Sequence, residues 1–136
     1  MSAISHHAAL IYVMVVVSAS DGAMSDSELE AIGRRIRTLP VFADFDIERL
    51  IPVSQECRDI LQDDDGLNAV LGLVKVTLPD HLRETAYLLA LEMALTDAKV
   101  RLEEIRVLEL LRHSLGLEKL IVAALERGAR ARYQTA

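Results

Sequence analysis

Residues 8–19 read AALIYVMVVVSA, and a helix built from them has no charged face. A helix that is apolar all round must be enclosed on all sides. The rest of the chain therefore has to wrap around this stretch. At about 12 residues it falls short of the roughly 20 needed to cross a bilayer. The preceding MSAISHH has no Lys or Arg, so it lacks the basic flank of a secretory signal. These features predict a cytoplasmic protein with no membrane insertion and a central first helix over about 4–19.

The material available for the wrapping is helical. Apolar residues recur at three- and four-residue spacing almost throughout, and strand-like alternation is missing. Only 4% of residues are aromatic and there is no Trp, so the core must come from Leu, Ile, Val, Ala and Met. With 136 residues and no linker or low-complexity segment, residues 1–136 read as one all-α domain of about seven helices. SDG at 20–22 stops the first helix, and SDSE at 25–28 has the form of a capping box opening a second helix to about Thr38. Leu29, Ile32, Ile36 and Leu39 are its expected buried stripe. A third helix is expected from Asp46 to about Leu61, with a break or kink at Pro52. DDDG at 63–66 offers a cap for a fourth, and Asp80 one for a long fifth. The sixth, about 101–115, presents Leu102, Ile105, Leu108, Leu111 and Leu115 before Gly116 ends it. A last helix starts near 117, and RGARARYQTA is expected to fray.

Charge narrows the function classes. Fifteen basic against 21 acidic residues give a net −6, which disfavours polyanionic partners and argues against nucleic acid. Two arginine runs, Arg34, Arg35, Arg37 and Arg127, Arg130, Arg132, fall at expected helix ends. There they either complement the helix dipole on a solvated face or form a phosphate or partner patch. The lone Cys57 excludes an internal disulfide framework and a multi-cysteine zinc site, and reads as a small buried hydrophobe.

An acidic turn occurs twice. A shift of 76 residues sets Asp21 on Asp97 and Glu28 on Glu104, with Met24 on Val100 and Leu29, Ile32 and Leu39 on Ile105, Leu108 and Leu115. Each copy reads as an apolar helix, an Asp, and a Glu seven residues later that opens the next helix. This is the pattern of a duplicated helical hairpin with pseudo-two-fold symmetry. Gly22 becomes Ala98 and Ser25 becomes Arg101 in the second copy.

Capping accounts for the first pair, since Glu28 can close a box with Ser25 while Asp21 ends a helix. It is weaker for the second, because Arg101 has no N-cap oxygen. The chemical alternative is a cation site. Asp and Glu seven apart match positions 5 and 12 of an EF-hand loop, but positions 1 and 3 would be Val17 and Ala19, or Met93 and Leu95, so an EF-hand is excluded. A site with fewer ligands from each hairpin remains. Four carboxylates at one locus repel unless a cation or protons neutralise them. Oxygen donors alone favour Ca²⁺, Mg²⁺ or Mn²⁺ over Zn²⁺.

ASDGAMSDSELEAI after an apolar helix, LTDAKVRLEEIRVL after a long Ala/Leu-rich helix, and a closing LGL at 115–117 together resemble the TerB-like tellurite-resistance family. The likeness covers roughly residues 5–125. It implies an all-helical fold of about seven helices with a pseudo-two-fold repeat, and a non-enzymatic role in bacterial stress response. It implies a metal-binding surface formed by Asp21, Glu28, Asp97 and Glu104. It also implies protein partners, among them membrane-associated components of the same resistance system. Ala98 departs from the turn glycine usual in that family.

Other polar groups compete with these as candidates. Glu92 within YLLALEMAL is either a third inward ligand or one exposed position on an amphipathic helix. His81 with Glu84, and Glu109 with His113, are helical neighbours able to chelate, but neither meets the duplicated Glu-x-x-His pattern of a di-iron bundle. His6 and His7 are expected to be solvent-exposed, with an adventitious metal grip as the alternative, and DDDG is expected to be a solvated acidic cap, with weak calcium binding as the alternative. No nucleophile elbow or phosphate-cradling glycine loop supports an enzyme. The expected function is a cation-binding sensor or docking domain; the alternative is an interaction bundle whose acids only cap and solubilise.

Overall fold

The computed structural model describes residues 4–19, 24–96 and 102–136. Along them run seven α-helices: α1 His6–Ser18, α2 Asp26–Thr38, α3 Leu50–Leu61, α4 Gly66–Thr77, α5 Asp80–Thr96, α6 Leu102–Leu115 and α7 Lys119–Arg132. No strand occurs among the described residues, and the protein is all-α. No described helix is long and apolar enough to cross a membrane.

Helix α1 is the axis, as its composition requires. Ser5 caps it by accepting the Ala8 N–H at 3.0 Å, and every residue from His7 to Ser18 is buried. It packs most extensively on α5, then on α3 and α4, and also touches α6 and α2. Leu10, Ile11, Met14, Val15 and Val17 are fully enclosed, and each such aliphatic contributes roughly 1.5–3 kcal/mol. A charge introduced at Met14 would have no route to water. Helix α5 is the second central element. Its Ala86, Ala90 and Ala94 form a row four residues apart, all nearly inaccessible, where a neighbouring helix can approach closely.

Four expectations along the chain are corrected. Pro52 breaks nothing: a 3₁₀ turn at Ile47–Arg49 precedes α3, which begins at Leu50. Pro52 therefore stands in the first turn, where a missing N–H costs no intrahelical bond. Asp46 caps that 3₁₀ turn instead, accepting from Glu48 N–H at 3.0 Å. On α6 the buried face is Glu104, Val107, Leu111 and Leu115, while Leu102 is 81% and Ile105 42% exposed. Of the α6 residues that match α2 by sequence, Ile105 is turned outward and Leu108 is half-buried, while Leu115 is buried.

The remaining two concern caps and the C-terminus. Asp65 precedes α4 but accepts from the Asn68 side chain (2.8 Å) rather than from backbone, and Asp80 lies inside the first turn of α5, beside Arg83 at 3.8 Å. Helix α7 persists to Arg132 because its end is anchored: Ala129 is buried and Tyr133 accepts a hydrogen bond from Arg35 at 2.8 Å. Gly116 ends α6 at φ +65°, the left-handed conformation that favours glycine.

Candidate metal centre

The first acidic turn opens α2 through a complete capping box. Ser25 Oγ accepts the Glu28 N–H at 3.2 Å, and Ser25 N–H donates to Glu28 Oε1 at 2.9 Å. The Ser25 hydroxyl also donates to that oxygen at 3.0 Å. One oxygen of the half-buried Glu28 carboxylate is therefore committed to closing the helix. Asp21 and Asp97, the other members of the two expected pairs, lie outside the described residues, as do Gly22 and Ala98.

Glu104 stands differently. Like Glu28 it is the third residue of its helix, but it is only 4% exposed and is itself engaged by a partner group. It shares the buried face of α6 with Val107, one turn further on. Val107 lines a cavity of about 310 Å³ together with Val16 and Ala19 at the end of α1 and with Arg58 and Leu61 of α3. The end of α1 that leads into the first acidic turn and the face of α6 that carries Glu104 thus border the same space. Among the described residues no three His, Cys, Asp or Glu side chains gather to hold an ion.

Glu92 is neither an inward ligand nor an exposed position. Arg35 Nε donates to its Oε1 at 3.3 Å, and Arg132 Nε lies 3.5 Å from Oε2. Arg35 also donates to Ala31 O (3.0 Å), Thr96 Oγ1 (3.3 Å) and Tyr133 OH (2.8 Å). This cluster ties the ends of α2, α5 and α7 together. The sequence held its components, two arginine runs and an acid inside an apolar helix, but their chain separation hid the pairing.

The surface expectation for His7 fails while that for His6 holds. His7 is buried, with Nε2 3.0 Å from Val41 O and 3.1 Å from Asp44 Oδ1, and its ring lies against Phe42 and Phe45. A histidine held between a carbonyl and two aromatic rings is a packing group. His81, Glu84, Glu109 and His113 are all exposed, as are Asp63, Asp64 and Asp65. Cys57 is fully buried with Sγ 3.9 Å from Tyr12 O, and burial pushes its thiol from 9.0 up to about 12. An inert structural thiol follows.

No family model matches the chain, and no significant match is found among curated proteins or solved structures.

Proposed function

We propose that this protein is a non-enzymatic, TerB-like stress-response domain that binds a divalent cation and acts as a sensor or docking module. Asp21, Glu28, Asp97 and Glu104 supply the carboxylates. The observation that supports one shared locus is the cavity bordered both by Ala19, which leads into the first turn, and by Val107, one turn from Glu104. Glu28 fits in part, because Oε1 is taken by its capping box while Oε2 makes no hydrogen bond to a described residue. Glu104 is a buried carboxylate on the helix face that borders this cavity, and it is already engaged by a partner group that an ion would have to join or replace. Oxygen donors select Ca²⁺, Mg²⁺ or Mn²⁺ ahead of Zn²⁺. In this reading the protein is cytoplasmic and its partners are proteins, including membrane-associated members of a resistance system.

The second reading is an interaction bundle without a metal. The closed box at Ser25 and Glu28 favours it, since capping alone explains that acid. Thermal unfolding with each of Ca²⁺, Mg²⁺, Mn²⁺ and Zn²⁺, in the wild type and in Asp21→Asn/Asp97→Asn, separates the two. A ligand that binds only the native state raises Tm by mass action. The metal reading expects a rise in the wild type that the double variant loses. No rise, or an equal rise in both, leaves the interaction bundle.

A further inference from the structure

The two arginine runs, far apart in the chain, contribute to one groove. Arg34, Arg35 and Arg37 reach it from the end of α2 and Arg132 from the end of α7, around a space of about 690 Å³. Glu92 is its acid, and Leu39, Leu88 and the Tyr133 ring supply apolar surface. Arg35 is consumed by the contacts that hold the three helices. Arg34 and Arg37 are exposed, and among the described residues no carboxylate pairs with either. Arg132 leans on Glu92 with its side chain 69% exposed.

Dipole compensation does not absorb this charge. The C-terminal ends of α2, α5 and α7 contribute about half a negative charge each, so with Glu92 they leave about one and a half of the four guanidinium charges uncompensated. That excess sits on a chain whose net charge is −6. Exposed guanidinium groups at Arg34 and Arg37 beside the apolar surface of Leu39 and Leu88 match an oxyanion carried on an organic body: a guanidinium takes two oxygens at once, and the body lies on the leucines. The space is within the range of small-molecule sites.

We propose that the groove between α2, α5 and α7 binds the phosphate group of a small phosphorylated molecule through Arg34, Arg37 and Arg132. It is independent of the candidate metal centre. The test is titration of the ¹⁵N-labelled full chain with pyrophosphate, AMP and adenosine at constant ionic strength set with NaCl. Pyrophosphate and AMP should give saturable shifts at residues 34–39 and 132–133, and adenosine should not. Arg34→Ala/Arg37→Ala, which changes only exposed side chains, should weaken AMP at least tenfold, whereas Arg130→Ala, outside the groove, should bind as the wild type. Absence of saturable shifts up to about 10 mM, equal binding by the double variant, or adenosine binding as well as AMP would each overturn the proposal. An oligoglutamate peptide that saturates these residues while pyrophosphate and AMP do not would also overturn it, in favour of an acidic protein segment.

Discussion

Arg35 and Glu92 stand 57 residues apart in sequence and meet at 3.3 Å, with only 11% and 14% of their side chains exposed. Their pairing joins α2 to α5, which otherwise share a modest interface, and through Tyr133 it fixes the end of α7. Removing one partner strands the other's charge in a poorly hydrated place. Glu92→Leu is therefore expected to lower the unfolding free energy by about 3 kcal/mol. Arg35→Met/Glu92→Leu should lose less than the sum of the single variants, because it leaves no orphan charge. Urea unfolding of the four proteins measures this, and strict additivity would show that the pair is not coupled.

Cys57, Tyr12 and Tyr87 together set the alkaline limit, burial being the first cause of the upward shift in each. Burial raises the thiol from 9.0 to about 12, and Tyr12 rises from 10.0 to about 12 through burial first and then the neighbouring Glu56 and Cys57. All three are neutral when protonated. Their contribution is complete below pH 9, where native and unfolded chains hold the same protons. It is lost as pH climbs from 9 toward 12, where the unfolded chain ionises first. For the thiol alone the loss is on the order of 4 kcal/mol, at about 1.4 kcal/mol per pKa unit. Chemical unfolding at stepped pH should show a flat region below 9 and a steep fall above it. At pH 8 a disulfide reagent should label Cys57 only as fast as the protein opens.

Legibility followed the strength of each physical signal. The all-round apolar character of 8–19 leaves one solution, a buried helix, and α1 is that helix. The capping box at Ser25 is local chemistry with fixed spacing, so α2 opens where it should. Helix α6 misled in its first half because Leu102 and Ile105 begin a plausible stripe, but the face that meets the core is rotated around the helix from them, joining Glu104 and Val107 to the expected Leu111 and Leu115. Periodicity gives a stripe's spacing and leaves its phase to tertiary contacts. The burial of His7 and the Glu92 clamp depend on partners 34 or more residues away, which no local window contains. Of the candidate metal centre, Glu28 and Glu104 stand in the first turns of their helices, where the sequence placed them, and Asp21 and Asp97 lie outside the described residues.

The phase of α6 can be tested directly. Leu102 is 81% exposed and Leu111 only 2%. Leu102→Ser should change stability by no more than about 0.5 kcal/mol. Leu111→Ala should cost about 2–5 kcal/mol, from lost burial plus the cavity left behind. A larger loss from Leu102→Ser than from Leu111→Ala would mean that the helix is turned the other way.

Two glycines should respond to alanine for different reasons. Gly116 sits at φ +65° with open space around it, so Gly116→Ala carries only the conformational penalty, about 1–2 kcal/mol. Gly66 is buried where a Cβ would collide with the Ile60 carbonyl and the Leu61 backbone. Backbone cannot step aside as a flexible side chain can, so Gly66→Ala should destabilise more than Gly116→Ala. Thermal melts of both variants rank them.

Ser25 and Glu28 satisfy each other's backbone N–H groups, which makes the first acidic turn separable into structure and chemistry. Ser25→Ala removes the acceptor for the Glu28 N–H and should cost about 1 kcal/mol. Glu28→Gln keeps an acceptor oxygen for the Ser25 N–H but removes the charge, so it should cost less, a few tenths of a kcal/mol from the lost interaction with the helix N-terminus. If Glu28 also serves a cation, Glu28→Gln should reduce the Tm rise given by that ion, while Ser25→Ala should lower the melting temperature with and without the ion by the same amount. Melts of both variants across a cation series read these effects apart. A cation response that Glu28→Gln leaves intact would confine Glu28 to its cap and move the ion to the other three carboxylates.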